Sequence, residues 1–507
     1  MIPYVISSFR GGFSDETDKG VAGSFKHGHA LDIHGRDDIL TAKQAMATIL
    51  DATTGVFASA VGAYSVTGTT ITAPINVFVN GSDGTTYCFG STGSIFTRSG
   101  DGFWTFAYND ENGGIKGASE WKLSDGVNYL YWSTGTSIGR KVLQGADITP
   151  DSGTGRWTDV VADYKTTLDS ADWHMMIPAS GSLMVGNSNA LAEIKFNGDF
   201  NATALNVRPG NIVKCLEERD DYVILGTGKQ GQAEEGHIWS WITTAINWVQ
   251  KKRIPVKGVN SLVSAELMVL QGGDDGELFF SDFVNATPLN GLPGGGQTNP
   301  GGAAIEDDQA VFGFFGGTYP GIWSYGRKRK NRPFALNLPY RMAKTVVGST
   351  LSTISAVTVA DGVLMASWGT TDGSTNEYGI DSVSSTTKAT ALYEGLEFDG
   401  NQPHLDKKFD TVKVNFAPLV SGTSISVKFK LDKATTGGDS SAGAGWKYAI
   451  TGGNSTSHSV ADSTEAIFVV SGAAKIYEVG VELNPSSNDS PQIQSVVTYV
   501  SQTPYEY

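Results

Sequence analysis

Three histidines and an aspartate, His27, His29, Asp32 and His34, are the densest group of metal-ligand residue types in the chain. On an extended strand His27 and His29 would share one face, which a divalent cation could use. No zinc spacing matches and no cysteine assists, so they are read as polar contacts of their own segment; no metal, cofactor or catalytic residue is assigned. Gly226-Thr227-Gly228-Lys229-Gln230 follows the apolar run Tyr222 to Leu225. A phosphate loop there needs glycine five positions before the Gly-Lys pair and a hydroxyl residue after the lysine. Val223 and Gln230 occupy those places, and the segment reads as a turn. Adjacent carboxylates recur at Glu217-Glu218, Asp274-Asp275 and Glu306-Asp307-Asp308. Glycoside hydrolysis needs two carboxyls at a set separation across a sugar, and with 52 acidic residues adjacency is cheap. The run Arg327-Lys328-Arg329-Lys330-Asn331-Arg332 stands out in a chain of formal charge −15. It has three uses: contact with an acidic neighbouring subunit, contact with DNA, or protection of a solvated sheet edge against aggregation.

The elements that must carry these residues are short strands. Ser99-Gly-Asp-Gly-Phe-Trp-Thr105 recurs as Ser152-Gly-Thr-Gly-Arg-Trp-Thr158, each copy after a Ser-Thr-Gly turn and an isoleucine-bearing strand. The first copy is close to the Asp-box turn of sialidase propellers but two residues short of it, and that turn is structural even there. Asp-Gly pairs at 83–84, 101–102, 125–126, 275–276, 361–362 and 372–373 supply the positive φ of tight hairpins. Grouping the strands gives units near 70–115, 116–165, 170–208, 210–256, 257–302, 303–345 and 350–398. Seven units of roughly 47 residues have the length of four-stranded propeller blades. Runs such as Asn128-Tyr-Leu-Tyr-Trp132, Ser182-Leu-Met-Val185 and Tyr222-Val-Ile-Leu225 suit strands covered on both faces.

Before this region, residues 1–68 read as an extended N-terminal arm, because Gly11-Gly12, Gly20 and Gly23 interrupt every period and leave little for a core. Within the arm, Ile39 to Leu50 fits either a short helix capped by Asp38 or a strand entering the first blade. After Asp399-Gly400-Asn401-Gln402-Pro403 the alternation becomes cleaner. Val412, Val414 and Phe416; Ile425, Val427, Phe429 and Leu431; Trp446, Tyr448 and Ile450; and Tyr477, Val479, Val481 and Leu483 each place apolar residues on one face, as a β-sandwich requires. The fold class is therefore all-β: an arm (1–68), a β-propeller of about seven blades (69–400) and a C-terminal β-sandwich (401–507).

Composition sets bounds on function. A chain of 507 residues with 40% apolar content and 63 glycines is folded and turn-rich. Its negative charge excludes a protein that grips nucleic acid over a broad surface, although DNA can slide past such a wall. Cys88 and Cys215 each sit in an apolar run and are expected as buried free thiols. The N-terminus has no secretory pattern and no stretch of 18 apolar residues occurs, so a chain made and kept in a cytosol, without membrane insertion, is expected.

Phe9-Arg10-Gly11-Gly12-Phe13-Ser14-Asp15, then Asp18-Lys19-Gly20-Val21-Ala22-Gly23-Ser24-Phe25-Lys26 and Leu31-Asp32-Ile33, resembles the opening of tailed-bacteriophage virion proteins. The stretch Asp83 to Arg98 is similar to their first hairpin pair, and Tyr477-Glu-Val-Gly-Val-Glu-Leu-Asn-Pro485 to Pro491 resembles their terminal sandwich. The resemblance implies a non-enzymatic structural component of the virion tail, a nozzle or hub. Copies of the chain would form a ring, a hexamer, around the DNA exit channel, contacting adjoining tail or adaptor and portal-proximal proteins and passing viral DNA without sequence-specific binding. No catalytic residue or cofactor comes with it. Arg327, Lys328, Arg329, Lys330 and Arg332, with Phe9, Arg10 and Phe13 of the arm, are then the candidate subunit or channel contacts. Loss of residues 1–35 is expected to leave a folded monomer that fails to enter particles. The alternative function is a glycan-binding or glycan-degrading propeller, a receptor-binding protein or depolymerase.

Overall fold

The computed structural model describes residues 2–14, 23–34, 38–51, 71–98, 104–143, 157, 159–229, 235–282, 285–289, 291–292, 294–343, 350–372, 375–400, 402–432, 440–452 and 454–502. Apart from a short 3-10 turn at Ser440–Ala442, the named elements are all β-strands. Among the described residues no helix is long and apolar enough to cross a membrane. By its internal contacts the chain divides into two compact units, one of Ala47–Gly321 with Met342–Ser382, the other of Met1–Met46, Ile322–Arg341 and Val383–Tyr507.

Seven four-stranded sheets follow one another along the chain, opened by the strands Ile75–Asn80, Gly117–Lys122, Met176–Ala179, Asn211–Arg219, Val259–Ser264, Ala303–Glu306 and Thr350–Ala360. Each opening strand packs against the opening strand of the next sheet, and Thr350–Ala360 packs back against Ile75–Asn80. Sheets arranged radially in a closed cycle of this kind are a β-propeller. The strands Ser182–Asn187 and Gln309–Phe314 are buried along their whole length, because each sheet is covered on both faces by its neighbours. Separate apolar clusters fill successive gaps: Trp132, Phe89 and Trp157 in one, Tyr131, Leu183 and Ile194 in the next, then Trp239 with Leu205 and Val223. Gly84 and Gly126 of the expected Asp-Gly turns have φ of 78° and 82°. Asp101-Gly102 and Gly373 lie outside the described residues. So does most of the Ser-Gly-x-Gly-x-Trp-Thr repeat, although Trp104 and Trp157 are both buried.

The seventh sheet closes the cycle with a strand from far upstream. Gln44–Asp51 pairs as the fourth strand beside Thr350–Ala360, Val363–Asp372 and Thr375–Lys388. The segment Ile39 to Leu50, open between helix and strand, is thus strand, and it enters the last sheet instead of the first. Leu50 joins Ile75, Phe96, Met365 and Ile380 in the cluster that seals first sheet to last. Ala391–Gly395, expected within the last propeller unit, belongs instead to the other compact unit.

That other unit contains a sheet ordered Ile2–Ile6, Ile493–Gln502, Lys407–Phe416, Glu465–Ala474, and a second ordered Gly12–Phe13, Ser24–His29, Ala391–Gly395, Tyr477–Asn484, Ser424–Leu431, Lys447–Tyr448. Phe409 of the first sheet stacks on Tyr477 of the second at 4.3 Å. The alternation expected after residue 403 is present, except that Ile450 is exposed. The expectation of a core-poor arm is corrected. Ile2–Ile6 pairs in register with Val496 to Val500, and Phe9 and Phe25 pack edge-on against Tyr393 at 5.3 and 5.7 Å. The apolar residues of this segment are few but large, and short strands between glycines place each of them inside without any regular period.

Candidate interaction surfaces

The cationic run forms the turn between Gly321–Gly326 and Ala335–Tyr340. Its shape is fixed from within. The Arg332 N–H donates to the Arg329 carbonyl at 2.9 Å, and the Arg327 guanidinium donates to the Lys330 carbonyl at 2.8 Å. Arg327 also lies over the Phe334 ring at 4.5 Å, and that ring stacks on Tyr325. Asp38, held at φ 60°, draws in two further cations: Arg332 at 3.5 Å and Arg10 in direct ion-pair contact. Lys328 is half-buried, whereas Arg329 and Lys330 at the tip are exposed. The hairpin thus presents two cations on a braced turn.

Of the candidate contacts, Arg10 and Arg332 meet through Asp38, a link that nothing in the sequence signals. Phe9 and Phe13 are withdrawn as surface residues: they are 1% and 4% exposed, and Phe13 packs edge-on against Trp323 at 5.9 Å. A phenyl ring is worth more to the core than to solvent, and the bends at Gly11 and Gly12 turn both inward.

The propeller unit carries the opposite charge on one set of turns. The opening strands run side by side, and cross-links tie their ends together. The Ser82 N–H donates to Glu120 at 2.7 Å, the Ser180 N–H to Glu218 at 3.1 Å, the Ser264 N–H to Glu217 at 3.1 Å, and the Asn80 amide to the Val359 carbonyl at 2.9 Å. The hairpin turns leaving these strands therefore gather at one end of the propeller. All but Ser180-Gly181 hold exposed acids: Asp83, Asp125, Asp220 with Asp221, Glu266, Asp307 with Asp308, and Asp361. Asp83 and Asp125 partly serve their own turns, accepting from Tyr87 and Tyr129 hydroxyls at 2.7 and 2.9 Å. Burial pushes the Glu217 carboxyl up to about 7.

These roles account for the adjacent carboxylates. Glu217 and Glu218 bridge neighbouring sheets, and Asp274 pairs with Lys257 at 2.6 Å. The segment 226–229, expected as a turn, is instead part of the strand Tyr222–Lys229. Its glycines serve packing, since a Cβ on Gly226 would collide with the Cys215 sulfur. Cys88 and Cys215 are free and buried, and burial raises both thiols.

His27 and His29 lie together, ring centroids 5.9 Å apart, among structural partners. His27 Nδ1 lies 3.1 Å from Glu394, which also takes Lys428 at 2.6 Å. Burial holds His29 down to about 3 and His34 to about 4. Among the described residues no group of three or more His, Cys, Asp or Glu side chains is placed to hold a metal ion. Lys428 approaches Glu482 at 3.7 Å, and Glu478 lies 3.4 Å from Lys430 and 3.8 Å from Lys26. This ionic lattice over the second sheet escaped sequence reasoning because its members come from distant strands. Its one trace is a polar residue at every second position of 424–430, with Glu478 and Glu482 on the neighbouring strand.

No protein-family model matches the chain, and no curated protein is similar to it in sequence. The solved structures similar to it include the WD40 propeller domain of Doa1, at 11% identity and TM-score 0.42, covering 68% of this chain and 98% of that one. The WD40 domain of Neurospora crassa Pan2 is 10% identical at TM-score 0.41, covering 68% of this chain and 97% of that one. An extracellular domain of a putative hybrid two component system from B. thetaiotaomicron is 14% identical at TM-score 0.42, and the match spans 75% of this chain but only 43% of that one. At such identities the likeness is one of fold alone.

Proposed function

We propose that the protein is a structural component of a bacteriophage tail, a propeller of seven blades joined to a β-sandwich, several copies of which form a ring around the DNA exit channel. One observation carries this reading. Of the three stretches that resemble tail proteins, two, Phe9 to Lys26 and Tyr477 to Pro491, come from opposite ends of the chain yet contribute strands to the same sheet, Ser24–His29 on one side of Ala391–Gly395 and Tyr477–Asn484 on the other. The large residues of these two stretches, Phe9, Phe13, Phe25 and Tyr477, are core residues of the unit they share. The charge supports the same reading. A wall of net charge −15 repels DNA phosphates and leaves passing DNA mobile, where a basic wall would bind it.

Mass spectrometry of purified virions made from the genome that encodes the chain tests the proposal directly. The chain is expected as a stoichiometric particle protein, seen as a ring when virion tails are imaged. Its absence from particles overturns the reading, and release of reducing ends from host polysaccharide by the purified chain would replace it with a glycan-active one.

A further inference from the structure

The most unusual charge on this molecule is the hairpin 327–332: five cations in six residues of a chain whose net charge is −15. Three of the five are engaged by the chain itself, Arg327 by the Lys330 carbonyl and the Phe334 ring, Arg332 by Asp38, and Lys328 by partial burial. This bracing leaves Arg329 and Lys330 projecting from a turn that loses little freedom on binding. A solvated sheet edge would need one or two lysines and no brace. The bracing points to a partner, and the partner's chemistry must be acidic.

We propose that this hairpin tip docks on the acidic turn end of the propeller in a second copy of the same chain. The inference deepens the ring reading and rests on it for the choice of a second copy as occupant. Charge complementarity supports that choice independently. At the ends of the opening strands Asp220, Asp221, Asp308 and Asp361 are all exposed, joined there by Asp83, Asp125 and Glu266. Several of the turns that hold them are tied to a neighbouring sheet, by cross-links such as Ser180 to Glu218 and Ser82 to Glu120. Each copy therefore offers a preformed cationic tip and a preformed acidic surface. Surfaces that are different and complementary on one chain drive association of identical copies. DNA is disfavoured as occupant because the surrounding surface is acidic, and two exposed cations neutralise too few phosphates to hold it.

The test is sedimentation of the full chain at low and at high salt, roughly 50 and 500 mM, a range over which exposed charge pairs lose most of their attraction. Wild type is expected to self-associate at low salt and to weaken at least tenfold at high salt. Two variants, Arg329→Glu with Lys330→Glu, and Asp221→Lys with Asp308→Asn and Asp361→Asn, are each expected to remain monomeric. Mixed together they are expected to associate with each other, since the unaltered tip of the surface variant meets the unaltered acidic surface of the tip variant. Asparagine is used at 308 and 361 because those residues sit at φ 65° and 51°, which asparagine tolerates. Arg329→Gln with Lys330→Gln serves as a milder tip variant, and unchanged melting confirms that all of them fold. A wild type that stays monomeric at low salt, association that ignores salt and both variant sets, or a mixture that stays monomeric overturns the proposal. So does retention of duplex DNA by wild type that the tip variants lose. Salt-sensitive association by a chain that is absent from virions would leave this contact standing while removing the tail reading, so the two fail separately.

Discussion

Glu217 and Asp110 illustrate how the same residue type works differently once its surroundings are fixed. Glu217 accepts the Ser264 N–H with little water around it, and burial raises its carboxyl from 4.5 to about 7. Below pH 4.5 the group is protonated in both folded and unfolded chains and has no effect. As the pH climbs toward 7 the unfolded chain ionises first, so the folded state loses up to about 3 kcal/mol across that window. Glu217→Gln keeps an acceptor for Ser264 and removes the charge. It is expected to raise the melting temperature at pH 8 and leave it unchanged at pH 4.5; an equal shift at both values would contradict the assignment. Asp110, 1% exposed, instead accepts the Trp132 indole N–H at 2.6 Å. Asp110→Ala strands that donor inside the core, and chemical denaturation is expected to show a loss of about 1–3 kcal/mol. The run ending in Trp132 marks it as a core residue from sequence alone. Its partner is invisible there, because Asp110 looks like any acidic loop residue until the chain folds it against the indole. The same holds for Asp38, whose hold on Arg10 and Arg332 no spacing announces.

At the level of strands, local pattern reveals what local pattern makes. Hairpin-linked sheets were legible because apolar runs recur within each unit and Asp-Gly turns within four of the seven, and the unit boundaries read from sequence enclose the sheets almost strand for strand. Strands that pair over long separations were not legible. Ile2–Ile6 finds its partner at the far end of the chain, and Gln44–Asp51 completes a sheet whose other strands begin at Thr350. Nothing in a short glycine-flanked segment specifies a distant ladder. The consequence changes the expected behaviour of a truncation. Removing residues 1–35 takes away the partner of Ile493–Gln502 and the Phe9, Phe13 and Phe25 side chains, each worth about 3–5 kcal/mol as a core ring. The truncated chain is expected to lose protease resistance across 383–502 while 71–321 stays resistant, since Gln44–Asp51 is retained. Equal resistance of both regions under limited proteolysis would restore the idea of a dispensable arm.

For the molecule as a whole, the division of the core matters more than the order of the sequence. The chain passes repeatedly between the two compact units, and each holds core contacts of its own: the clusters between successive propeller sheets in one, and the stack of Phe409 on Tyr477 with the rings around Tyr393 in the other. Units with separate cores unfold as separate cooperative transitions when each core is large enough to stand alone. Calorimetry is therefore expected to resolve two transitions. Phe25→Leu leaves a partly filled space beside Tyr393 and is expected to lower one of them by several degrees, with the other unmoved. Trp132→Phe, in the propeller, is expected to lower the other alone. If both substitutions move one common transition, the units are energetically fused.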